Sequence, residues 1–183
     1  MQVRGDVHPI TTAVDTPPDS VGTLVIMVRT IALLMIAAAA SLGCNGGVDV
    51  PDCGGDETDD TCEVFRLVND ERIEAGVDPY EWNTELAVAA ELHAQDMVDQ
   101  GYFDHTSLDG RSFSERAGEA GYDASPRGEN IAAGQPTPDA VMSSWMNSDG
   151  HRRNILADGS NEIGIGLVEL HWVQVFGHRA EEG

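Results

Sequence analysis

Basic side chains are scarce in this chain. Lys and Arg total 10 against 32 Asp and Glu, a formal charge of −22. A surface of that sign repels phosphate backbones, which excludes a nucleic-acid partner. Aromatic residues are few as well, 5% of 183 residues. None precedes Phe65, so the core must be built from the last two thirds of the chain. An internal repeat is absent. So are a Gly-x-Ser-x-Gly nucleophile elbow and a His-Glu-x-x-His zinc motif, so neither sequence pattern supports a hydrolase. The apolar stretch from Ile31 to Ala40 is too short to cross a bilayer comfortably as a helix.

That stretch follows Arg29 and runs into small residues, the layout of a secretory signal over residues 27–44. Its end, Ser41-Leu42-Gly43-Cys44, resembles the lipobox of bacterial lipoproteins, with Leu42 one position closer to the cysteine than usual. Cys44 is the expected lipidation site, and acyl chains there would anchor the protein at about 0.8 kcal/mol per buried methylene. Residues 1–26 carry Asp6, Asp15 and Asp19 where a signal wants positive charge; they read as an upstream extension, with translation starting at Met27. Once Cys44 is lipidated, Cys53 and Cys62 remain as a disulfide pair, as an oxidising compartment favours. The Gly- and Asp-rich residues 45–62 read as a solvated linker, so the disulfide is expected to stiffen a tether. A single domain over 63–180 follows.

Within it, Phe65 and Val68 predict a helix from Glu63 to Ala75, closed by Gly76. Leu86, Ala90, His93, Ala94 and Met97 recur at helical spacing between an Asn83 or Thr84 cap and Gly101. A short helix runs from Ser112 to Ala120, and Pro138 opens another that reaches Asn147. Gly128-Glu129-Asn130-Ile131 reads as a junction. Ile163, Ile165 and Leu167 alternate with Gly164 and Gly166, which suits a strand packed closely on a neighbour. The final strand alternates His171, Val173 and Val175 with Trp172, Gln174 and Phe176. Helices first and strands last predict an α+β fold, with helices packed on an antiparallel sheet.

Seven segments in order resemble the CAP superfamily of cysteine-rich secretory, antigen 5 and pathogenesis-related proteins, its bacterial branch above all. They include Leu67-Val68-Asn69-Asp70-Glu71-Arg72, Glu81-Trp82-Asn83, Phe103-Asp104-His105, Gly128-Glu129-Asn130, Trp145 through Asn154, and His171-Trp172-Val173-Gln174. The resemblance implies a three-layer α-β-α sandwich and a cleft lined by two histidines and two glutamates. His105, Glu129 and His171 match three of these. The second glutamate's place is taken by Ser148, and the bacterial Gly-His-Arg supplies His151. The implied cleft is His105, Glu129, His151 and His171, with Ser148 beside it.

Neutral imidazoles and a carboxylate suit zinc or another divalent metal, with His105, His171 and Glu129 as the candidate ligands. The plainer alternative is a hydrogen-bonded polar cluster that fixes loops. His93, on the apolar stripe of its helix, reads as a core histidine, and Trp82, Trp145 and Trp172 as core mass. The expected activity is binding rather than catalysis, by a monomeric protein of the cell envelope. Its partner would be a metal, or a lipid or other apolar ligand. A metal-dependent hydrolase and a surface adhesion or signalling module are the alternatives.

Overall fold

The computed structural model describes residues 52–53 and 59–180. The expectations for residues 1–26, for the signal ending at Cys44 and for most of the linker lie outside the described residues. Five helices and four strands follow in the order α1 (Asp60–Glu74), β1 (Glu81–Trp82), α2 (Thr84–Gln100), α3 (Phe113–Glu119), β2 (Ser125–Ala133), α4 (Pro138–Met146), α5 (Asp149–Ile155), β3 (Glu162–Val168) and β4 (His171–His178).

Local chemistry sets most of the helix ends. The Asn83 side chain accepts from the Leu86 N–H to start α2, and Gly101, at φ 68°, closes it in the left-handed conformation. Ser112 and Glu115 cap α3 reciprocally, and Pro138 opens α4 behind a Thr137 cap. α1 begins three residues before the predicted start, because Asp59 caps it.

The strands lie in the order β1-β3-β4-β2. β3–β4 and β4–β2 are antiparallel, but β1 runs parallel to β3, so the sheet is mixed rather than purely antiparallel. The predicted junction Gly128–Ile131 is instead the middle of edge strand β2. Its polar residues show no alternating pattern; pairing with β4, Glu129 opposite Val175 and Ile131 opposite Val173, makes it a strand.

Two apolar clusters flank the sheet. One gathers Phe65, Val68, Trp145, Ile163, Ile165, Trp172 and Phe176 beneath α1 and α4; the other gathers Leu86, Ala90, Met97, Ile131, Val173 and Val175 beneath α2 and α3. Helices thus cover both faces, as the three-layer expectation requires. Cys53 and Cys62 form a disulfide with Cα atoms 5.5 Å apart. Both are buried in the first cluster, so the bridge belongs to the folded core rather than to a free tether.

Candidate functional site

On the α2–α3 face of β2, Glu129 points inward with its side chain fully buried. One carboxylate oxygen lies 2.8 Å from Nδ1 of His105, and the other accepts from Arg116 Nη2 at 2.6 Å. The same guanidinium donates to the backbone oxygens of His105 and Arg111 and to the Ser107 hydroxyl, at 2.9–3.1 Å. Arg116 therefore holds both the carboxylate and the turn that carries His105. A carboxylate shared with arginine acts as the acceptor, so Nδ1 of His105 carries the proton and Nε2 is presented outward. The His105 side chain is 54% exposed. This is an oriented imidazole on a buried support.

α5 crosses the other side of β2. Asn154 donates to the Glu129 carbonyl and the Asn130 side chain, while Asn130 donates to the His151 carbonyl and to Gln174. This amide ladder seats α5 so that the His151 imidazole feels the charge of His105. His93, buried in α2, bonds through Nε2 to the Asp104 carbonyl at 3.0 Å and so steadies the His105 turn from behind.

The three imidazoles are tuned in opposite directions. The bond to Glu129 holds His105 above the ordinary imidazole value, against opposition from burial. Burial lowers His93 and His151, with the charge of His105 adding to the shift at His151. A raised imidazole stabilises the fold fully below pH ~6.5 and loses that contribution as pH rises through its folded value. Depressed imidazoles do the reverse: their penalty is absent above pH ~6.5 and grows as the pH falls below it. We expect a proton NMR titration to show His105 titrating above, and His93 and His151 below, the value in the unfolded chain. Glu129→Gln should bring His105 down toward that value. An unmoved His105 titration would contradict the pairing.

His171 is not part of this cluster. It stands opposite Ala133, four residues along β2 from Glu129, roughly 13 Å away at strand rise. Its ring lies 6.4 Å from that of Phe103, and its Nδ1 is near the Glu169 carbonyl at 3.2 Å. Ser148 precedes α5 at the N-cap position, without a side-chain capping bond. The metal set His105, Glu129 and His171 therefore does not fit an ion. The two oxygens of Glu129 are taken by His105 and Arg116, a cation sits beside them, and the third ligand is on another part of the sheet. Among the described residues no group of three His, Cys, Asp or Glu side chains could hold a metal.

Arg116 and Asn154 carry this site, and neither was singled out as a site residue. Arg116 had a signal: it falls with Phe113, Ala117 and Ala120 on the inward stripe of α3, where a charge demands a buried partner. Asn154 had a weaker one, a single helical turn after His151.

A cavity of about 590 Å³ is bordered by Asp123, Glu162, His178 and Arg179. Another of about 450 Å³ opens between α2 and α3 and is lined by Ala89, Leu92, Asp96, Ala120 and Arg116 itself.

The profile of the CAP, or cysteine-rich secretory protein, family matches residues 65–176. The chain is 41% identical over 116 residues to the protein YkwD of Bacillus subtilis, covering 62% of this chain and 45% of that one. It is 32% identical over 114 residues to the membrane protein YlbC of the same organism, covering 62% of this chain and 33% of that one. The match thus spans less than half the length of these curated relatives. An extracellular SCP-domain protein from Bacillus anthracis superposes with a TM-score of 0.64 at 29% identity, over 66% of this chain and 40% of the other. An outer surface protein of Borrelia burgdorferi shares the fold, with a TM-score of 0.61 at 22% identity, over 69% of this chain and 97% of the other.

Proposed function

The chain belongs to the CAP, or cysteine-rich secretory protein, family, and from that premise we propose that it is an exported cell-envelope protein that binds a ligand through the oriented imidazole of His105. The observation that carries this reading is the buried Glu129–Arg116 support, which holds one face of a half-exposed ring and leaves Nε2 free to meet a partner. Such a preorganised polar contact costs little ordering on binding. His151, on α5, is held below its ordinary value by burial and by the charge of His105.

Export is supported by the Cys53–Cys62 disulfide, which suits an oxidising compartment. The extracellular and outer-surface descriptions of the structural neighbours point the same way. In this reading residues 27–44 are a signal, Cys44 carries the lipid anchor, and residues 63–180 form the ligand-binding domain. Binding is favoured over hydrolysis in this reading because both oxygens of Glu129 are already engaged by His105 and Arg116.

The test is native mass spectrometry of protein recovered from the cell envelope, with zinc calorimetry in parallel. We expect a retained ligand that is lost in His105→Ala and no stoichiometric zinc heat. Recovery from the cytoplasm would remove the export reading. Stoichiometric zinc binding abolished by His105→Ala would replace the ligand reading with the metal one.

A further inference from the structure

Arg116 serves the His105 support with both terminal nitrogens. Nη1 donates to the Ser107 hydroxyl and the Arg111 carbonyl, and Nη2 donates to the His105 carbonyl and Glu129. A guanidinium has one donor more, Nε–H, and it makes none of these bonds. The side chain is only 5% exposed, and a donor left without an acceptor in such a place costs free energy. The same residue lines the cavity of about 450 Å³ between α2 and α3.

The rest of that cavity is of two kinds. Ala89, Leu92 and Ala120 give it hydrocarbon walls, and Leu92 is 61% exposed. Carboxylates share the lining, each tied to a neighbour. Asp96 accepts from the Tyr102 hydroxyl and the Gln100 amide, Asp99 from Gln95 at 2.7 Å, and Glu119 from Arg111 at 2.7 Å. A few hundred cubic ångströms with apolar walls and few fixed polar atoms is the usual make-up of a small-molecule site.

We propose that this cavity binds a small neutral molecule, its branched apolar body against Ala89, Leu92 and Ala120 and its carbonyl oxygen accepting from Arg116 Nε–H. The charge of the head group follows from the lining. An ammonium carries donors only and cannot serve Nε–H. A carboxylate could accept, but Asp96, Asp99 and Glu119 repel it, and Glu129 already balances the guanidinium. An uncharged carbonyl meets the donor without either penalty. The site shares Arg116 with the His105 support and does not depend on the imidazole.

The test titrates the full chain at pH 7 with three probes of one branched carbon skeleton: isovaleramide, isovalerate and isopentylamine. NMR follows the methyls of Leu92, Ala89 and Ala120 and the Arg116 Nε–H. Saturable shifts at all four residues are expected with isovaleramide, at an affinity about tenfold or more above either charged probe. Leu92→Gln keeps a good helix former at an exposed position and should weaken binding about fivefold with unchanged melting. His105→Ala should bind the amide as the parent does, whatever becomes of the ligand proposed for the imidazole. Absent saturation, an unmoved Nε–H, or a charged probe bound as tightly as the amide would overturn the proposal. So would undiminished binding by Leu92→Gln, or loss of binding in His105→Ala, which would put the amide at the imidazole instead.

Discussion

Gly164→Ala is expected to destabilise the fold by about 3 kcal/mol or more, at the severe end of overpacking changes. A Cβ at Gly164 would lie 2.0 Å from the Ala87 nitrogen and 2.2 Å from the Leu86 carbonyl carbon. One at Gly166 would lie 2.2 Å from the Glu91 nitrogen. Both obstacles are the α2 backbone, which cannot swing away as a side-chain tip can. The two glycines, spaced i and i+2, face one side of β3 and let α2 rest directly on the sheet. Because α2 also carries His93, displacing it would disturb the turn that presents His105. Thermal unfolding should show a loss of roughly 10 °C for either Gly→Ala change. Gly118→Ala is the control: it lies in helix α3, where a Cβ meets nothing within 4 Å. It should be neutral or stabilise by up to about 1 kcal/mol. A Gly164→Ala protein melting like the parent would refute the close approach.

Arg72→Ala should cost about 3–5 kcal/mol, since it strips several buried acceptors of their donor at once. Arg72 is 1% exposed. Its Nε donates to the Asp78 carbonyl at 2.7 Å, and Nη1 donates to those of Ile155 and Ala157 at 2.7 and 2.9 Å. The guanidinium also lies 3.6 Å from the centre of the Tyr80 ring. Burial pulls this group below its ordinary value, opposed by Tyr80, Asp78 and Asp158. The residue thus ties α1 to the chain entering β1 and to the segment leaving α5. Arg72→Lys retains the charge but not the planar fork, and should recover only part of the loss, remaining about 2 kcal/mol below the parent. Denaturant unfolding distinguishes these outcomes. A lysine variant as stable as the parent would show that charge alone suffices. The consequence for function is indirect: α5 carries His151 and Asn154, so loosening its exit loosens one wall of the candidate site.

Much of the architecture was written locally. The cap at Asn83, the stop at Gly101 and the proline opening of α4 depend on side chains and backbone within a turn of one another. The Gly164–Gly166 alternation likewise announced a close neighbour before α2 was known to be that neighbour. The segment 125–133 resisted such reading, because Pro126, Gly128, Glu129 and Asn130 lack strand periodicity and depend on β4 for their hydrogen-bond partners. The missed helix α5 is only Asp149–Ile155, and it is secured by Asn154 reaching β2 rather than by propensity.

For the site, the family resemblance grouped His105, Glu129, His151 and His171 as one cleft. Tertiary structure decided which of them meet. The antiparallel register of β2 and β4 carries His171 four positions away from Glu129, while α3, folding back on the sheet, delivers Arg116 to the carboxylate. Sequence by itself determined helices, caps and export-type cysteine use, because these follow from short-range contacts and composition. The buried His105–Glu129–Arg116 group joins three segments through desolvated charge, and such pairing exists only once the layers have closed around it.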